Sequence, residues 1–535
     1  MVALGACSPS LPNALYNPHG EFFDHPFPSD ERLSPEGLPE WTGVPNPNDQ
    51  VLLTAYVAVA SNVEGASTLG GVFFRFDAPL NPGTLPTAQE SLSSESPVLL
   101  IDVDPSSPER GRLFPLSTHW QAEETTYQPS RLLSVGPYPG VPLRPATQYA
   151  ALVTTALAAA HPEQLEVWDP AHKRHGSWKP VKETLTDLGI STDQVAIGSV
   201  FTTQDPVAEL AEYALWIRNE LPPPSWDQVL SPGFSTSHFS TGEGVLALPL
   251  FQHGDKPYST SGGGFLRDVD GAPLMAAWES MPFTLSVPTG ATPPETGWPV
   301  VIWAHGTGGD HTNCCDNTAS YETARVLADA SIAVLSVPQP LHGERATAGT
   351  IPELHSFNPM NAEAARTNFR QGALDIVSLS SGLASRTHTF ELDGSQHSLD
   401  PDRVFVAGHS HGGITAAIAG PFIGDVVPAM FLSAAGGGMS TVLTQRREPI
   451  DLEAIIHQAL GLAGHERLQP LHPVATLIQT VTDVTDPINY ARFWKDEAAS
   501  FSTVPISVLM SEGLQDEPTP PAAMEALAAA TGCST

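Results

Sequence analysis

Five runs in the second half of the chain constrain its architecture more than any other feature: "PVVIWAHG", "IAVLSVPQP", "RVFVAGHS", "VVPAMFLSAAGG" and "VPISVLMSEG". Each has strand length and is nearly continuous in apolar residues, without the alternation of a sheet that keeps one face wet. Strands buried on both faces are parallel strands covered by helices, and helix-compatible segments separate these runs. The pattern predicts an α/β unit over residues 241–535, built on a mostly parallel sheet with flanking helices.

The first half reads differently. "VLLTAYVAVA", "GVFFRFDAPL", "SPVLLIDVDP", "TQYAALVTTAL" and "QVAIGSVFTT" are short apolar runs punctuated by Pro, Gly, Asn and Asp, which predicts an all-β sandwich over residues 21–205. The helix-like "DPVAELAEYALWIRNEL" then meets "PPPSW", and three prolines cannot continue a helix, so residues 206–240 read as a helix and Pro-rich linker. A chain of 535 residues exceeds what one core fills, so two or more domains are expected.

The stretch "VFVAGHSHGG" carries a Gly-x-Ser-x-Gly pattern centred on Ser410. A strand leads into it and small, helix-compatible residues follow, which places Ser410 on a tight strand-to-helix turn. Gly408 and Gly412 lack the Cβ atoms that would block such a turn, and the helix N-terminus favours negative charge developing beside the serine. Ser410 is therefore the candidate nucleophile, against the plainer reading of a serine in a glycine-rich turn.

Taken together, "HGTGG", "VPQPLHGER", "FNPMNAEAARTNFRQGALDI", "GHSHGG" and "GLQDEPTPP" resemble bacterial extracytoplasmic lipases and esterases of the α/β-hydrolase superfamily, surface lipoprotein lipases among them. "FRFDAPLNPGTLP" and "PLRPATQYAALVT" resemble bacterial Ig-like domains, which implies an α/β-hydrolase fold preceded by an Ig-like sandwich. The resemblance implies hydrolysis of a small-molecule or lipid ester through an acyl-enzyme on Ser410. By that likeness His305, Gly306 and Thr307 form an oxyanion loop, with the N–H of His411 and one from Gly306 or Thr307 as donors and His305 as a brace. Asp516 falls where the acid of such a triad stands, with Glu512, Glu517 and Asp486 as lesser candidates. The chain order in this fold is Ser, acid, His, yet no histidine follows Asp516, so the base is expected beyond residue 535 in a chain cut at its C-terminus. His409 and His411 are expected to point away from the serine, and His342 to line the pocket. The segment 338–370 is expected to border or cover it, with Arg366 and Arg370 bracing that loop or simply solvated. The rival classes are a non-catalytic surface-binding protein on a hydrolase scaffold and, among enzymes, a serine peptidase or acyltransferase.

The 24 basic residues against 58 acidic ones give a formal net charge of -34, which excludes nucleic acid as a partner. "LGAC" near the start resembles a bacterial lipobox: residues 1–20 read as a leader or lipoprotein segment whose true start lies upstream, Cys7 as the lipidation site, and the location as extracytoplasmic, secreted or anchored at the cell surface. Cys314 and Cys315 are adjacent, so they bridge each other or remain two thiols in a polar loop; the second reading carries more weight. Asp310, His311 and Asp316 surround them, but no zinc-type Cys-x-x-Cys spacing is present, and no metal or organic cofactor is expected. Oligomeric state is left open.

Overall fold

The computed structural model describes residues 11–532 apart from 227, 316–320 and 465, with residues 321 and 322 as backbone only. Cys7, Asp316 and Cys533 lie outside the described residues. The chain forms two compact units, Met1–Asp205 with His457–Val481, and Pro206–Ile456 with Thr482–Thr535.

The first unit holds two three-stranded antiparallel sheets. One runs in the order Val72–Arg75, Leu132–Pro137, Leu116–Gln121; the other runs Val98–Asp102, Gln148–Thr154, Val195–Thr202. Strand alternation explains the packing. Val98, Leu100, Tyr149, Ala151 and Val153 share one core with Val72, Phe74, Leu133 and Val135 of the other sheet. Leu99, Ile101, Ala150 and Leu152, on the opposite face, pack with Trp178, Val181 and Leu185 of the helix His175–Asp187.

That helix corrects the all-β expectation for residues 21–205, and "VLLTAYVAVA" corrects it again by folding as the helix Val51–Ala60. Its buried residues Leu52, Leu53, Tyr56 and Ala60 recur at helical spacing. Asn46 Oδ1 accepts the Gln50 N–H at 2.9 Å before its first turn, and Ser61 Oγ donates to the Val57 carbonyl at 2.8 Å after its last. A short apolar run does not reveal its period, whereas these end contacts do. The region is α+β.

Residues 457–481, read from sequence as part of the second domain, belong to the first unit. The buried Glu466 carboxylate accepts from Thr125 Oγ1 at 2.7 Å and from the Thr126 N–H at 3.1 Å, and it meets His472 Nε2 at 3.3 Å. Thr476 Oγ1 accepts the Gly71 N–H, and Gln204 donates to the Thr480 carbonyl. Local sequence carries no sign of these pairings, because the partners of Gly71, Thr125, Thr126 and Gln204 stand hundreds of residues away.

The second unit is built on a nine-stranded mixed sheet. Its order is Ser507–Ser511, Ala429–Ser433, Ser395–His409, Trp298–Ala304, Ala333–Ser336, Ala277–Pro288, Phe239–Leu250, Ser231–Ser235, with His388–Leu392 paired to Ser395–His409. The first five strands are mutually parallel and correspond to the five apolar runs. The central ones are buried on both faces, while Ser507–Ser511 and Ser231–Ser235 are exposed edges. The helix Ala208–Glu220 belongs to this unit. From Trp298–Ala304 the chain moves to one side of the sheet, to Ala333–Ser336, and then returns to the other side at Ser395–His409. Ligands in open α/β sheets bind at the carboxyl ends of strands where the order reverses in this way. Here that point lies between the strands ending at Ala304 and His409, just before His305 and Ser410, with Ala304 opposite Gly408.

Candidate active site

Ser410 stands between the strand Ser395–His409 and the helix His411–Ala419, with φ 52° and ψ −115°. A non-glycine residue enters this region only when its surroundings over-determine it, and such strain concentrates at functional sites. The Ser410 N–H donates to the Ser433 carbonyl at 2.8 Å and the Ile414 N–H to the Ser410 carbonyl at 3.1 Å, fixing the turn from both sides. A Cβ on Gly408 would lie 2.2 Å from the Gly412 carbonyl oxygen, and one on Gly412 would lie 2.0 Å from that of Ala304. The turn closes only with glycine at both positions. The first N–H groups of the helix that follows have no acceptor within it, so the serine sits in a field that favours an anion.

The loop after Trp298–Ala304 lies against this turn. A Cβ on Gly306 would be 3.5 Å from Ser410 Cβ. His305 braces the loop: Nδ1 donates to the Gly306 carbonyl at 2.8 Å and Nε2 accepts the Gln339 N–H at 2.9 Å. Burial, with the neighbouring His342 adding to it, pushes its pKa down to about 3, so the ring is neutral. The Thr307 hydroxyl is buried with no hydrogen-bond partner among the described residues, and is a second donor in a loop singled out for its N–H groups.

His305, His342 and His411 form a buried row with ring centroids 5.1 and 5.0 Å apart, and Phe369 covers His411 at 4.5 Å. His342 is fully buried, Nδ1 donates to the Pro340 carbonyl at 2.9 Å, and burial pushes its pKa down to about 4. It does not line an open pocket, and a base must reach substrate. His411 turns inward. His409 lies beside the Gly306 loop: its Cδ2 would lie 3.1 Å from a Cβ on Gly306, and Nδ1 meets Ser433 Oγ at 3.2 Å. Burial lowers the His409 pKa, and the Asp516 carboxylate opposes that shift. Among the described residues no histidine hydrogen-bonds Ser410.

Asp516 lies in the turn after Ser507–Ser511, half-buried, with Oδ1 accepting the Thr519 N–H at 2.7 Å. Oδ2 makes no hydrogen bond among the described residues and remains available for an imidazole. Glu512 and Glu517 are exposed on the same turn. Asp486 is engaged in holding the backbone: fully buried, it accepts the N–H groups of Gly438, Met439 and Ile488 at 3.0, 2.6 and 3.1 Å and so caps the helix Met439–Gln445.

The segment 338–370 borders the site. His342 and Phe369 pack at the nucleophile turn, and a Cβ on Gly308 would meet Glu353 Oε1 at 3.0 Å. Arg345 anchors the segment through ion pairs with Glu279 at 2.9 Å and Asp375 at 2.6 Å. Arg370 pairs with Glu209, and Arg366 adds positive charge beside that carboxylate, so both brace the segment. Glu353 and Arg446 escaped the sequence reading, since no motif marks them, and Phe357, which opens the quoted stretch "FNPMNAEAARTNFRQGALDI", was assigned no role.

Cys314 and Cys315 are joined by a disulfide and buried with Phe239, Ala324 and Val334, which corrects the reading of two thiols in a polar loop. The metal-like neighbours are engaged elsewhere. Asp310 accepts from the Thr312 N–H and hydroxyl, and His311 meets Glu344 at 3.3 Å.

No protein-family model matches the chain, and no curated protein matches it significantly. Among solved structures, it is similar to acetyl xylan esterase 1 from Thermoanaerobacterium sp. JW/SL YS485, with 17% identity over 61% of this chain and 84% of that one and a TM-score of 0.37. It is similar to an acetyl xylan esterase from Paenibacillus sp. R4, with 18% identity, the same coverage of 61% and 84%, and a TM-score of 0.37. Similarity to the acylaminoacyl peptidase of Pyrococcus horikoshii covers 48% of this chain and 33% of that one, at 12% identity and a TM-score of 0.32.

Proposed function

We propose that the chain is a serine carboxylic ester hydrolase of the α/β-hydrolase type, a lipase or esterase that works through an acyl-enzyme on Ser410. One observation carries this reading: the strained serine at a helix N-terminus has the Gly306 loop against it. Ser410 Oγ attacks the ester carbonyl carbon while the triad imidazole, expected by the Ser, acid, His order to follow Asp516, takes its proton, and the carbonyl electron pair moves onto oxygen. The N–H of His411 and that of Gly306 or Thr307 hold this oxyanion. Its collapse breaks the bond to the alcohol oxygen, which leaves with the proton from the imidazolium. Water repeats the sequence to free the acid and restore the serine. Asp516 orients the imidazole and stabilises its cation. His305, His342 and His411 are closed off by burial and do not fill that role.

Hydrolysis of p-nitrophenyl acetate and p-nitrophenyl decanoate by the chain and by Ser410→Ala tests the proposal, with covalent labelling by a fluorophosphonate as a second readout. The expected result is labelling at Ser410 and loss of about 10³-fold or more of the activity in the variant. Activity that survives Ser410→Ala refutes the nucleophile. Absence of both labelling and hydrolysis in protein that carries the histidine expected after Asp516 favours the surface-binding reading. The ratio of the two substrates separates esterase from lipase. Cys7 is proposed as a lipidated anchor at the cell surface, which incorporation of labelled palmitate and its loss in Cys7→Ala would test.

A further inference from the structure

Three arginines of the second unit are almost completely buried, and two of them are neutralised. Arg345 pairs with Glu279 and Asp375, and Arg370 pairs with Glu209. The third, Arg446, is 3% exposed and forms no ion pair among the described residues. Its Nε donates to the Glu448 carbonyl at 3.0 Å, while neither Nη atom has an acceptor among those residues. The guanidinium carbon lies 4.4 Å from the centroid of the Phe357 ring. A guanidinium held this deep with no ion pair among the described residues leaves its Nη groups free to take an anion that arrives from outside.

The surroundings of Arg446 locate that anion. Phe357 packs on Phe369 at 5.1 Å, and Phe369 packs on His411, the residue after the nucleophile. On another side the Arg447 N–H donates to the Glu517 carbonyl at 3.5 Å, joining this corner to the turn that carries Asp516. The charges acting on the guanidinium are those of Glu353, beside Gly308 of the oxyanion loop, and of Asp516, neither in contact with it. Arg446 is thus joined through Phe357 and Phe369 to the nucleophile turn, and through its neighbour Arg447 to the acid turn. At long range a chain with a net charge of -34 repels anions, so an anionic substrate needs a local cation such as this one.

We propose that Arg446 binds a carboxylate carried by the substrate, so that the preferred substrates are esters bearing a second, negatively charged group. The proposal rests on the ester hydrolase reading and names its substrate class. The planar guanidinium offers two parallel N–H groups to a carboxylate, a contact that a lysine makes less well.

The test compares charged and neutral esters in matched pairs. Mono-p-nitrophenyl glutarate against p-nitrophenyl butyrate places the charge on the acyl side; 4-acetoxybenzoate against its methyl ester places it on the leaving side. In the unmodified chain one pair should favour the anion by about 10- to 100-fold in kcat/KM, the range of a charge-assisted hydrogen bond. Arg446→Met should bring that ratio to about one through KM, and Arg446→Lys should restore part of it. A thermal melt of each variant guards against misfolding, and inhibition of the unmodified chain by free glutarate, lost at high salt, gives a readout that needs no variant. Ser410-dependent hydrolysis without an anion preference in either pair, or a preference that survives Arg446→Met, overturns this proposal alone. Hydrolysis of no ester in either pair by protein that carries the histidine expected after Asp516 overturns the ester hydrolase reading and this one with it.

Discussion

Gly412→Ala is the most informative single substitution in the site, because the clash it creates involves backbone on both sides. The new Cβ would stand 2.0 Å from the Ala304 carbonyl oxygen, 2.4 Å from its carbon and 2.7 Å from the His305 carbonyl oxygen. Ordinary contact begins near 3.4 Å, so the helix His411–Ala419 and the strand end must separate by roughly 1.4 Å, the difference between 3.4 and 2.0. No rotamer change relieves a backbone-to-backbone clash. Overpacking of this kind costs about 1–3 kcal/mol, and the depth of this one puts it at the top of that range. For a unit of this size that corresponds to a fall in melting temperature of about 5 °C. The catalytic loss should be larger in proportion. The displaced element carries the His411 N–H, and losing one oxyanion donor costs about 10²–10³ in kcat. Differential scanning calorimetry and p-nitrophenyl ester turnover on the same sample measure both effects. Full turnover together with a drop in melting temperature would show that the His411 N–H is not an oxyanion donor. An unchanged melting temperature would refute the close approach itself.

Acid should destabilise the second unit through its buried histidines. The folded pKa values of His305 and His342 are pushed down to about 3 and about 4, and that of His411 well below the usual value, all chiefly by burial. Unfolded imidazoles titrate near pH 6.5, so the unfolded state takes up more protons below that pH, and stability present above it is lost as pH falls towards 4 at about 1.4 kcal/mol per pH unit for each ring. Denaturant titrations at pH 7, 6 and 5 should show this slope, and His411→Phe should reduce it by about one ring; an unchanged slope counts against the row. Asp516→Asn should lower kcat by about 10⁴ with an unaltered melting temperature, whereas Asp486→Asn should melt early, having lost a carboxylate that holds three N–H groups. Arg345→Met leaves Asp375 charged and buried and should cost about 3–5 kcal/mol in a denaturant titration. Glu466→Ala removes the acceptor of Thr125, Thr126 and His472, and should lower the stability of the first unit by about 2–4 kcal/mol.

The centre of the parallel sheet was legible because burial on both faces writes itself into a strand as an unbroken apolar run, whereas the apolar run at Ser507–Ser511 proves to be an exposed edge. The turn at Ser410 was legible for a related reason: Gly408 and Gly412 are the residues the close approach demands, and they are four apart in sequence. "VLLTAYVAVA" was misread as a strand because ten apolar and small residues satisfy either period; Asn46 and Ser61, which fix the helix ends, lie outside the run. The disulfide escaped because adjacent cysteines bridge or stay apart according to a fold that spacing does not encode. Arg446 was invisible for the opposite reason to Ser410. Its significance is that it forms no ion pair among the described residues, and a sequence shows residues, not which of them fail to meet.

The membership of residues 457–481 in the first unit has a consequence for synthesis. Asp205 emerges 276 residues before Val481, the difference between 481 and 205. At about 5–20 residues per second that interval lasts roughly 14–55 s. Throughout it Thr125, Thr126 and Gly71 lack the groups they bond in the finished protein. The unit that is made first is therefore completed late, and a nascent chain held in that state is exposed to chaperones and proteases for longer than its place in the sequence suggests. For the same reason no single cut in the chain releases both units whole.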